Sequence, residues 1–166
     1  MTFAILRLNE DKRAALLAHF IALPQSDRSL RFGVSLATTV IAAYVDRIDF
    51  ARDAVFGVHD DQLVLIGIAH VAIEVDRAEL GLSVLPTHRR CGVGSALFDA
   101  AVAHASSRRI PTLFMQCRAG NAAIMRIAQR FGMDIISGGG DAAAHLRLQP
   151  RPVKGNRCAI QPTSIA

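Results

Sequence analysis

The chain of 166 residues has no tryptophan, one tyrosine and only two lysines among its 19 basic residues. Nucleic-acid-binding surfaces often interleave basic residues with aromatic ones, and no such run occurs here, so we do not expect a nucleic-acid partner. The net charge of +5 comes mostly from arginine. This charge suits a polyanionic ligand but does not identify one.

Cysteine and long apolar runs are also scarce. Cys91, Cys117 and Cys158 cannot all pair with one another, and they lack the spacing of metal ligands, so we expect a reduced protein without a metal. No apolar run approaches the roughly 20 residues needed to cross a bilayer. Residues 1–7 lack the basic and apolar segments of a signal peptide. We therefore expect a cytoplasmic protein that does not associate with membranes.

A chain of this length forms one domain with a sizeable core. We assign residues 1–149 to that domain. From residue 150 onward the chain is rich in proline and basic residues. This composition predicts a disordered tail over residues 150–166.

Hydrophobic periodicity and turn residues predict an α/β (α+β) domain around a mixed sheet. The predicted segments of the first half are a strand at 2–8, a helix at 10–23 capped by Asn9 and ended by Pro24, a polar connection at 25–33, a helix at 36–47, and antiparallel strands at 53–58 and 63–72. Those of the second half are a strand at 78–85, a helix reaching 107, a strand at 112–117, a helix between Asn121 and Gly132, and two strands flanking 138–140.

The most informative segment spans residues 82–97, where a strand leads through a short basic turn into a helix. Arg89 and Arg90 precede two closely spaced glycines, Gly92 and Gly94. Glycines let the backbone approach an anion, and the unpaired amides at a helix N-terminus point at it. The segment therefore predicts a cradle for a pyrophosphate group.

Two common phosphate-binding loops do not fit this segment. A P-loop requires Gly-Lys-Ser/Thr, and no lysine occurs here. The dinucleotide fingerprint requires Gly or Ala where Leu97 stands. What is present is Arg89-x-x-Gly92-x-Gly94 after an Ala-Glu-x-x-x-Ser-Val strand. This pattern resembles the acyl-CoA-binding motif of the GNAT superfamily of N-acetyltransferases.

The resemblance covers residues 2–148 and implies the GNAT fold, a mixed, mostly antiparallel sheet of about seven strands flanked by about four helices. It implies transfer of an acetyl group from acetyl-CoA to a primary amine of a small molecule or peptide, without a metal. Dimers are common among the proteins it resembles, so the resemblance is compatible with a homodimer, and the oligomeric state stays open. The alternative is a catalytically inactive acyl-CoA-binding or interaction module with the same fold.

In this family the strand before the cradle splays from its parallel neighbour, and the pantetheine arm pairs with its free edge. The resemblance therefore implies that the Val84 amide polarises the thioester carbonyl as an oxyanion donor. The cofactor-binding residues that it implies are Leu82, Ser83, Val84, Arg89, Arg90, Cys91, Gly92, Val93, Gly94, Ser95 and Asn121. The family usually has Arg or Lys where this chain has Cys91, and Arg90 is the candidate replacement for that charge.

A primary ammonium must lose a proton before it attacks a thioester at neutral pH. Strand alternation places Glu79 on the same face as Gly81 and Ser83, which leave room for ligands. Many family members use a Glu at the matching place as the base. Glu79 is therefore the candidate general base, acting directly or through a water. The alternative is a strand carboxylate paired with an arginine such as Arg77.

Many family members protonate the leaving thiolate with a tyrosine in the last helix, where this chain has Ala128. The only tyrosine, Tyr44, is distant in sequence, so the acid stays unassigned. Cys91 is an alternative nucleophile for a two-step transfer, because it stands at a helix N-terminus beside arginines. No His–carboxylate partner for it is visible in the sequence.

Residues 26–32 resemble an Asp-Arg-x-x-Arg-Phe segment of some family members, including acyltransferase domains of some protein-lysine acetyltransferases. This resemblance implies that Arg28, Arg31 and Phe32 wall the acceptor pocket. Guanidinium groups match carboxylates, so Arg28 and Arg31 are candidates for binding an acidic acceptor. A structural ion pair that holds the loop is the alternative. His70, in a strand that borders the pocket, completes the candidate set, with ordinary packing as its alternative.

Overall fold

The structure, a computed structural model, describes residues 3–34 and 36–148. The predicted tail and Cys158 lie outside the described residues. The strands are β1 (Ile5–Leu8), β2 (Ala54–His59), β3 (Leu65–Ile73), β4 (Arg77–Val84), β5 (Thr112–Arg118), β6 (Asp134–Gly138) and β7 (Asp141–Arg147). The helices are α1 (Arg13–Ala22), α2 (Gln25–Phe32), α3 (Thr38–Asp46), α4 (Val93–Ser107) and α5 (Ala122–Arg130).

The seven strands form one sheet in the order β1-β2-β3-β4-β5-β7-β6. Neighbouring strands pair antiparallel except β4 and β5, which pair parallel. Helix α4 makes the crossover between these two parallel strands, as the geometry of a parallel pair requires. The mixed, mostly antiparallel sheet predicted from the sequence is confirmed.

Two apolar clusters cover the two faces of the sheet. One contains Leu80 and Leu82 of β4 together with Leu97 and Phe98 of α4. The other contains Phe20 of α1 and residues of α3, packed on the opposite face. Alternate residues of β4 therefore point to opposite layers, and the residues between its leucines face α1 and α2.

Helix α2 replaces the predicted polar connection over residues 25–33, so that prediction is wrong. The segment is strongly polar and contains no fully buried residue, which removed the apolar periodicity that would indicate a helix. Its end is locally encoded: Gly33 follows with φ 79°, the left-handed conformation that glycine adopts readily. The chain thus has five helices in the described residues.

The predicted helix caps had different outcomes. The Asn9 side chain makes no cap hydrogen bond and donates instead to Asp11, so that prediction is wrong, and the segment begins as a 3-10 turn at Glu10–Lys12. The Asn121 side chain accepts from the Ile124 amide at 3.2 Å, as an N-cap does. Gly132 has φ 64°, which confirms the predicted helix stop.

Candidate active site

Strands β4 and β5 separate after a short paired stretch. Their register runs only from Arg77 opposite Thr112 to Glu79 opposite Phe114, whereas the other edge of β4 pairs with β3 as far as Val84. The β5-facing edge of residues 80–84 therefore has no ladder partner in the described structure. Such an edge can accept an added extended segment as a further strand.

Backbone N–H groups along β4 point alternately toward β3 and toward the open edge, so the β3 hydrogen bonds identify the amides that face the gap. The Leu85 N–H donates to the Ile66 carbonyl of β3, and Ser83 pairs with Ile68 in the same register. Because N–H groups alternate along a strand, the N–H and C=O of Val84 point away from β3, toward the gap. The Val84 carbonyl accepts from Arg89 Nε at 2.9 Å, which leaves its amide facing the cleft.

A basic turn and a helix N-terminus close one end of the gap. Arg90 and Gly92 both have positive φ, 61° and 93°, and α4 begins directly afterward at Val93. The first amides of α4 have no acceptor within the helix. At Gly94 a Cβ would lie 3.2 Å from the Ile127 side chain, so glycine allows α4 and α5 to approach closely beside these amides.

The gap opens into a cleft of about 550 Å³. Nine of the predicted cofactor-binding residues line it: Leu82, Ser83, Val84, Arg89, Arg90, Gly92, Gly94, Ser95 and Asn121. Two do not. Cys91 is exposed in the turn and its Sγ donates to the Arg89 carbonyl, and the Val93 side chain is buried in the core, so only its backbone can serve an anion.

Arg89 does not offer a free charge to the cleft. Its guanidinium pairs with Asp27 of α2 at 2.8 Å and donates to the Val84 carbonyl. The ion pair predicted as an alternative role for residues 26–32 therefore exists, but it joins Asp27 to the turn and involves neither Arg28 nor Arg31. In the described part of the chain, Arg90 has no ion pair.

Glu79 lies where β4 and β5 begin to separate. It lines a small recess of about 20 Å³ together with Arg31, Gly81, Gln116 and Asn121. A space of this size holds roughly one water molecule. Arg77, the alternative partner considered for Glu79, pairs with Glu74 at 2.5 Å instead.

A chain of hydrogen bonds leads from the sheet to Arg31. His70 is bonded through Nε2 to Asp53 at 3.2 Å and through Nδ1 to the Tyr44 hydroxyl at 2.6 Å. A carboxylate can only accept, so His70 carries its proton on Nε2 and accepts the Tyr44 proton at Nδ1. Arg31 in turn donates to the Tyr44 oxygen at 3.1 Å.

The electrostatic surroundings of Asp53 and His70 favour one protonation state for each side chain. Burial would raise the pKa of Asp53, but hydrogen bonds from Arg52, the Ile73 amide and His70 together lower it. Burial lowers the pKa of His70, although Asp53 opposes this effect. The network is therefore built from an ionised Asp53 and a neutral His70 at neutral pH.

A second buried histidine lies behind the cleft. His19 Nδ1 donates to the Leu65 carbonyl at 2.8 Å, and its Nε2 accepts from the Ser83 hydroxyl at 2.9 Å. Burial lowers the pKa of His19 to about 4, against the effect of the Leu65 hydrogen bond. His19 is thus neutral at pH 7 and fastens the cleft-lining strand β4 to α1.

The family model of the GNAT acetyltransferases matches residues 20–133, which is more than half of the chain. The chain belongs to the GNAT acetyltransferase family. No curated protein sequence matches it significantly. The GNAT motif predicted from residues 78–94 lies within the matched region.

Solved structures confirm the fold of this acetyltransferase family member. The GNAT domain of PAT from S. lividans superposes with a TM-score of 0.73 at 16% identity, over 87% of this chain and 89% of that one. The ribosomal-protein-S18-alanine N-acetyltransferase from Escherichia coli gives 0.69 at 19%, over 89% and 94%. A Salmonella typhimurium protein solved with its cofactor acetyl-CoA gives 0.66 at 17%, over 90% and 95%.

The predicted acceptor residues of this GNAT protein are only partly brought together. Arg31 lines both the cleft and the recess, and Phe32 stacks beneath its guanidinium at 4.9 Å. His70 is buried behind Tyr44 and reaches the site only through it. Arg28 is half-buried in α2 and is not among the described residues that line either space.

Sequence reasoning missed Tyr44, Asp53 and His19 as parts of this site. Ala128, where many relatives have a tyrosine, is completely buried in the core, so no acid is supplied there. Tyr44 instead stands on α3, across the sheet from α5. The described residues include no cluster suited to a metal ion and no helix with the length and apolarity to cross a membrane.

Proposed function

We propose that the protein transfers an acetyl group from acetyl-CoA to a primary amine, and that the amine attacks the thioester directly. The observation that carries this proposal is the free edge of β4, which opens into a cleft that ends at the N-terminus of α4. An extended pantetheine arm suits such an edge. Phosphate groups suit helix N-terminal amides, here those of residues 93–95.

The charges around the cleft also favour phosphate groups at the α4 end and the pantetheine arm along β4. Arg90 carries a guanidinium without an ion pair in the described residues, beside the first amides of α4. Arg89 contributes indirectly, because its bonds to Asp27 and Val84 hold the turn against α2 and β4. In the proposed complex, Arg90 and the α4 amides face the pyrophosphate, while Asn121 faces the pantetheine arm.

Acetyl-CoA supplies an activated acyl group, and the protein supplies the base and the oxyanion donor. In the proposed reaction a C–N bond forms and the C–S bond breaks. Glu79 takes the ammonium proton through a relay of waters that begins in the adjoining recess, because it stands five positions before Val84 on β4, about 16 Å at 3.3 Å per residue. The Val84 N–H faces the carbonyl oxygen that gains negative charge. As the C–S bond breaks, the nitrogen loses its second proton to solvent and the departing thiolate takes a proton from solvent, which an ordinary thiol pKa of about 8.5 permits.

A second candidate function is an acyl-CoA-binding module without catalytic activity. The buried Ala128, in place of the tyrosine of many relatives, is the observation that favours it. Binding of acetyl-CoA without N-acetylation of any amine would support this alternative. Direct transfer by Glu79 needs no residue at position 128, which is why we place transferase activity first.

The proposed phosphate site predicts that Ser95→Glu weakens acetyl-CoA binding at least tenfold, about 1.4 kcal/mol. Ser95 lines the cleft and accepts from Arg130 at 3.3 Å, so the added carboxylate would place negative charge on the cleft wall and would pair with the Arg130 guanidinium. It would not harm the helix, because a negative charge in the first turn favours the α4 dipole. Ser95→Gln, of equal size but neutral, is the control and should bind acetyl-CoA within about twofold of the wild type. Calorimetric titration measures all three proteins, and equal affinities for the Glu and Gln variants would place the phosphates elsewhere.

A further inference from the structure

Arg31 holds a positive charge that the proposed cofactor site does not explain. No carboxylate of the described residues forms an ion pair with it, and its Nε is buried without a hydrogen-bond partner. Its Nη2 donates to the Tyr44 hydroxyl at 3.1 Å, a neutral acceptor. A partly buried cation without a counter-ion is costly. The unused donors of Arg31 therefore favour an anion that arrives from outside the chain.

The position of this guanidinium is strongly constrained. Its Cζ lies 4.9 Å from the Phe32 ring centroid, and the rings of Phe20 and Tyr44 lie 5.9 and 5.8 Å away. Cation–π contacts of this kind hold a guanidinium without neutralising it. At Gly81 a Cβ would lie only 1.9 Å from Arg31 Nη2, so the absent side chain makes room for Arg31 against β4.

Hydrogen bonds among Tyr44, His70 and Asp53 fix the orientation of the Arg31 guanidinium. The Tyr44 hydroxyl accepts a hydrogen bond from Arg31 and donates one to His70, which is held by the buried Asp53. Asp53 is 3% and His70 7% exposed. This arrangement fixes a neutral oxygen beside the guanidinium, and Arg31 lines both the recess that it shares with Glu79 and the larger cleft. A preorganised fork of this kind matches a carboxylate.

Arg31 is also separated from the phosphate end of the cleft. It packs against Gly81, which precedes Val84 by three positions and follows Glu79 by two. At about 3.3 Å per residue, Gly81 lies roughly 10 Å along β4 from Val84, away from α4. An anion at Arg31 would therefore lie beside the proposed base, and the acceptor amine would extend from there along β4 toward the thioester at Val84.

We propose that Arg31 binds a carboxylate of the acceptor, so that the substrates are amines that carry a carboxylate near the reacting nitrogen. This inference rests on the proposed function, because it describes the acceptor of that same reaction. Tyr44 is a positioning residue in this account, since it acts on the substrate only through Arg31. An ammonium without a carboxylate meets an uncompensated positive charge at the same place.

The test compares ω-aminocarboxylates with alkylamines of equal chain length, such as 5-aminopentanoate with pentylamine. Their amines have similar basicity, so a difference reports the carboxylate. We expect kcat/KM to favour the aminocarboxylate by at least about tenfold, the size of a charge-assisted hydrogen bond. Arg31→Gln should reduce this ratio to about one, whereas Arg47→Gln, an exposed arginine of the α3 C-terminus, should keep it. Two lysine peptides, one with a glutamate next to the lysine and one with a glutamine there, are compared in the same assay. A higher kcat/KM for the glutamate peptide would show that Arg31 accepts a carboxylate carried by a peptide as well as one carried by a small molecule.

Tyr44→Phe separates positioning from loss of charge, because the ring contacts remain and only the hydroxyl disappears. We expect it to raise KM for the aminocarboxylate several-fold while leaving kcat, and kcat/KM for the alkylamine, nearly unchanged. Acetyl-CoA affinity and thermal unfolding of each variant show whether its fold is intact. Equal kcat/KM for the two amine series in the wild type would overturn the proposal.

A binding measurement keeps the inference testable if no amine is acetylated. Pentanoate is titrated into protein saturated with CoA, and wild type is compared with Arg31→Gln and Tyr44→Phe. Pentanoate binding that Arg31→Gln abolishes would support the carboxylate site even if the proposed transfer fails. Pentanoate binding that is absent, or unchanged in Arg31→Gln, would contradict the site whether or not transfer occurs.

Discussion

Replacing Glu79 by Gln is expected to lower kcat by about 10²- to 10⁴-fold near neutral pH, the usual contribution of a general base. Glu79 lies where β4 and β5 separate, beside the recess that can hold a water. Gln keeps the size of the side chain but cannot take the ammonium proton. Because Glu79 lies away from the phosphate end of the cleft, the acetyl-CoA Kd should stay unchanged.

The loss of turnover in Glu79→Gln should depend on pH, because the acceptor amine itself loses its proton at high pH. An acceptor amine with an ordinary pKa of about 10.4 is almost fully protonated at pH 7 and largely free near pH 11. The defect of Glu79→Gln should therefore be largest at low pH and should shrink as the solvent deprotonates the amine. Glu74→Gln, on the same hairpin and exposed, is the matched control and should keep full turnover. A wild-type to Glu79→Gln ratio near one from pH 7 to 10 would remove Glu79 from the mechanism.

Acidification is expected to destabilise the fold through His19. The unfolded histidine takes a proton below its ordinary pKa of 6.5, whereas the folded one resists until about 4. The unfolded state thus binds more protons in this window, so stability falls as the pH falls from 6.5 to 4. The difference corresponds to about 3 kcal/mol at 1.36 kcal/mol per pKa unit. Burial lowers the pKa of His70 as well, so His70 also contributes to the loss of folding stability as the pH falls.

Urea unfolding at pH 7, 6, 5 and 4 measures this effect. His19→Gln removes the titrating group while keeping a donor and an acceptor near Leu65 and Ser83. The variant is expected to be less stable than the wild type at pH 7, and the gap should close as the pH approaches 4. Parallel stability curves for the two proteins would show that His19 does not couple protonation to folding.

The turn and helix start at the proposed cofactor end of the cleft could be predicted because their determinants are local in sequence. The turn and the start of α4 are encoded within residues 86–95, where Gly92 takes a positive φ and Gly94 allows close helix packing. Asn121 likewise caps α5 through a bond to an amide three residues away. The residues that predict these features are the residues that form them.

The Arg31 network at the proposed acceptor end could be predicted only in part, because its contacts are distant in sequence. Arg31 lies on α2, Tyr44 on α3 and His70 on β3, and Asp53 directly precedes β2. Only the folded sheet brings these four residues together. Helix α2, which carries Arg31, lacked apolar periodicity and was predicted as a loop. A buried histidine paired with an aspartate has no characteristic spacing, so nothing in the sequence connects Asp53 to His70.

The most direct test of the account is acetyl transfer itself. Acetyl-CoA is incubated with the protein and 5-aminopentanoate, pentylamine or a lysine peptide, and both CoA release and the mass of the amine are followed. We predict CoA release that depends on the amine, matched one for one by an N-acetylated product. Acetyl-CoA binding by folded protein without N-acetylation of any of these amines would contradict the account and favour a binding module.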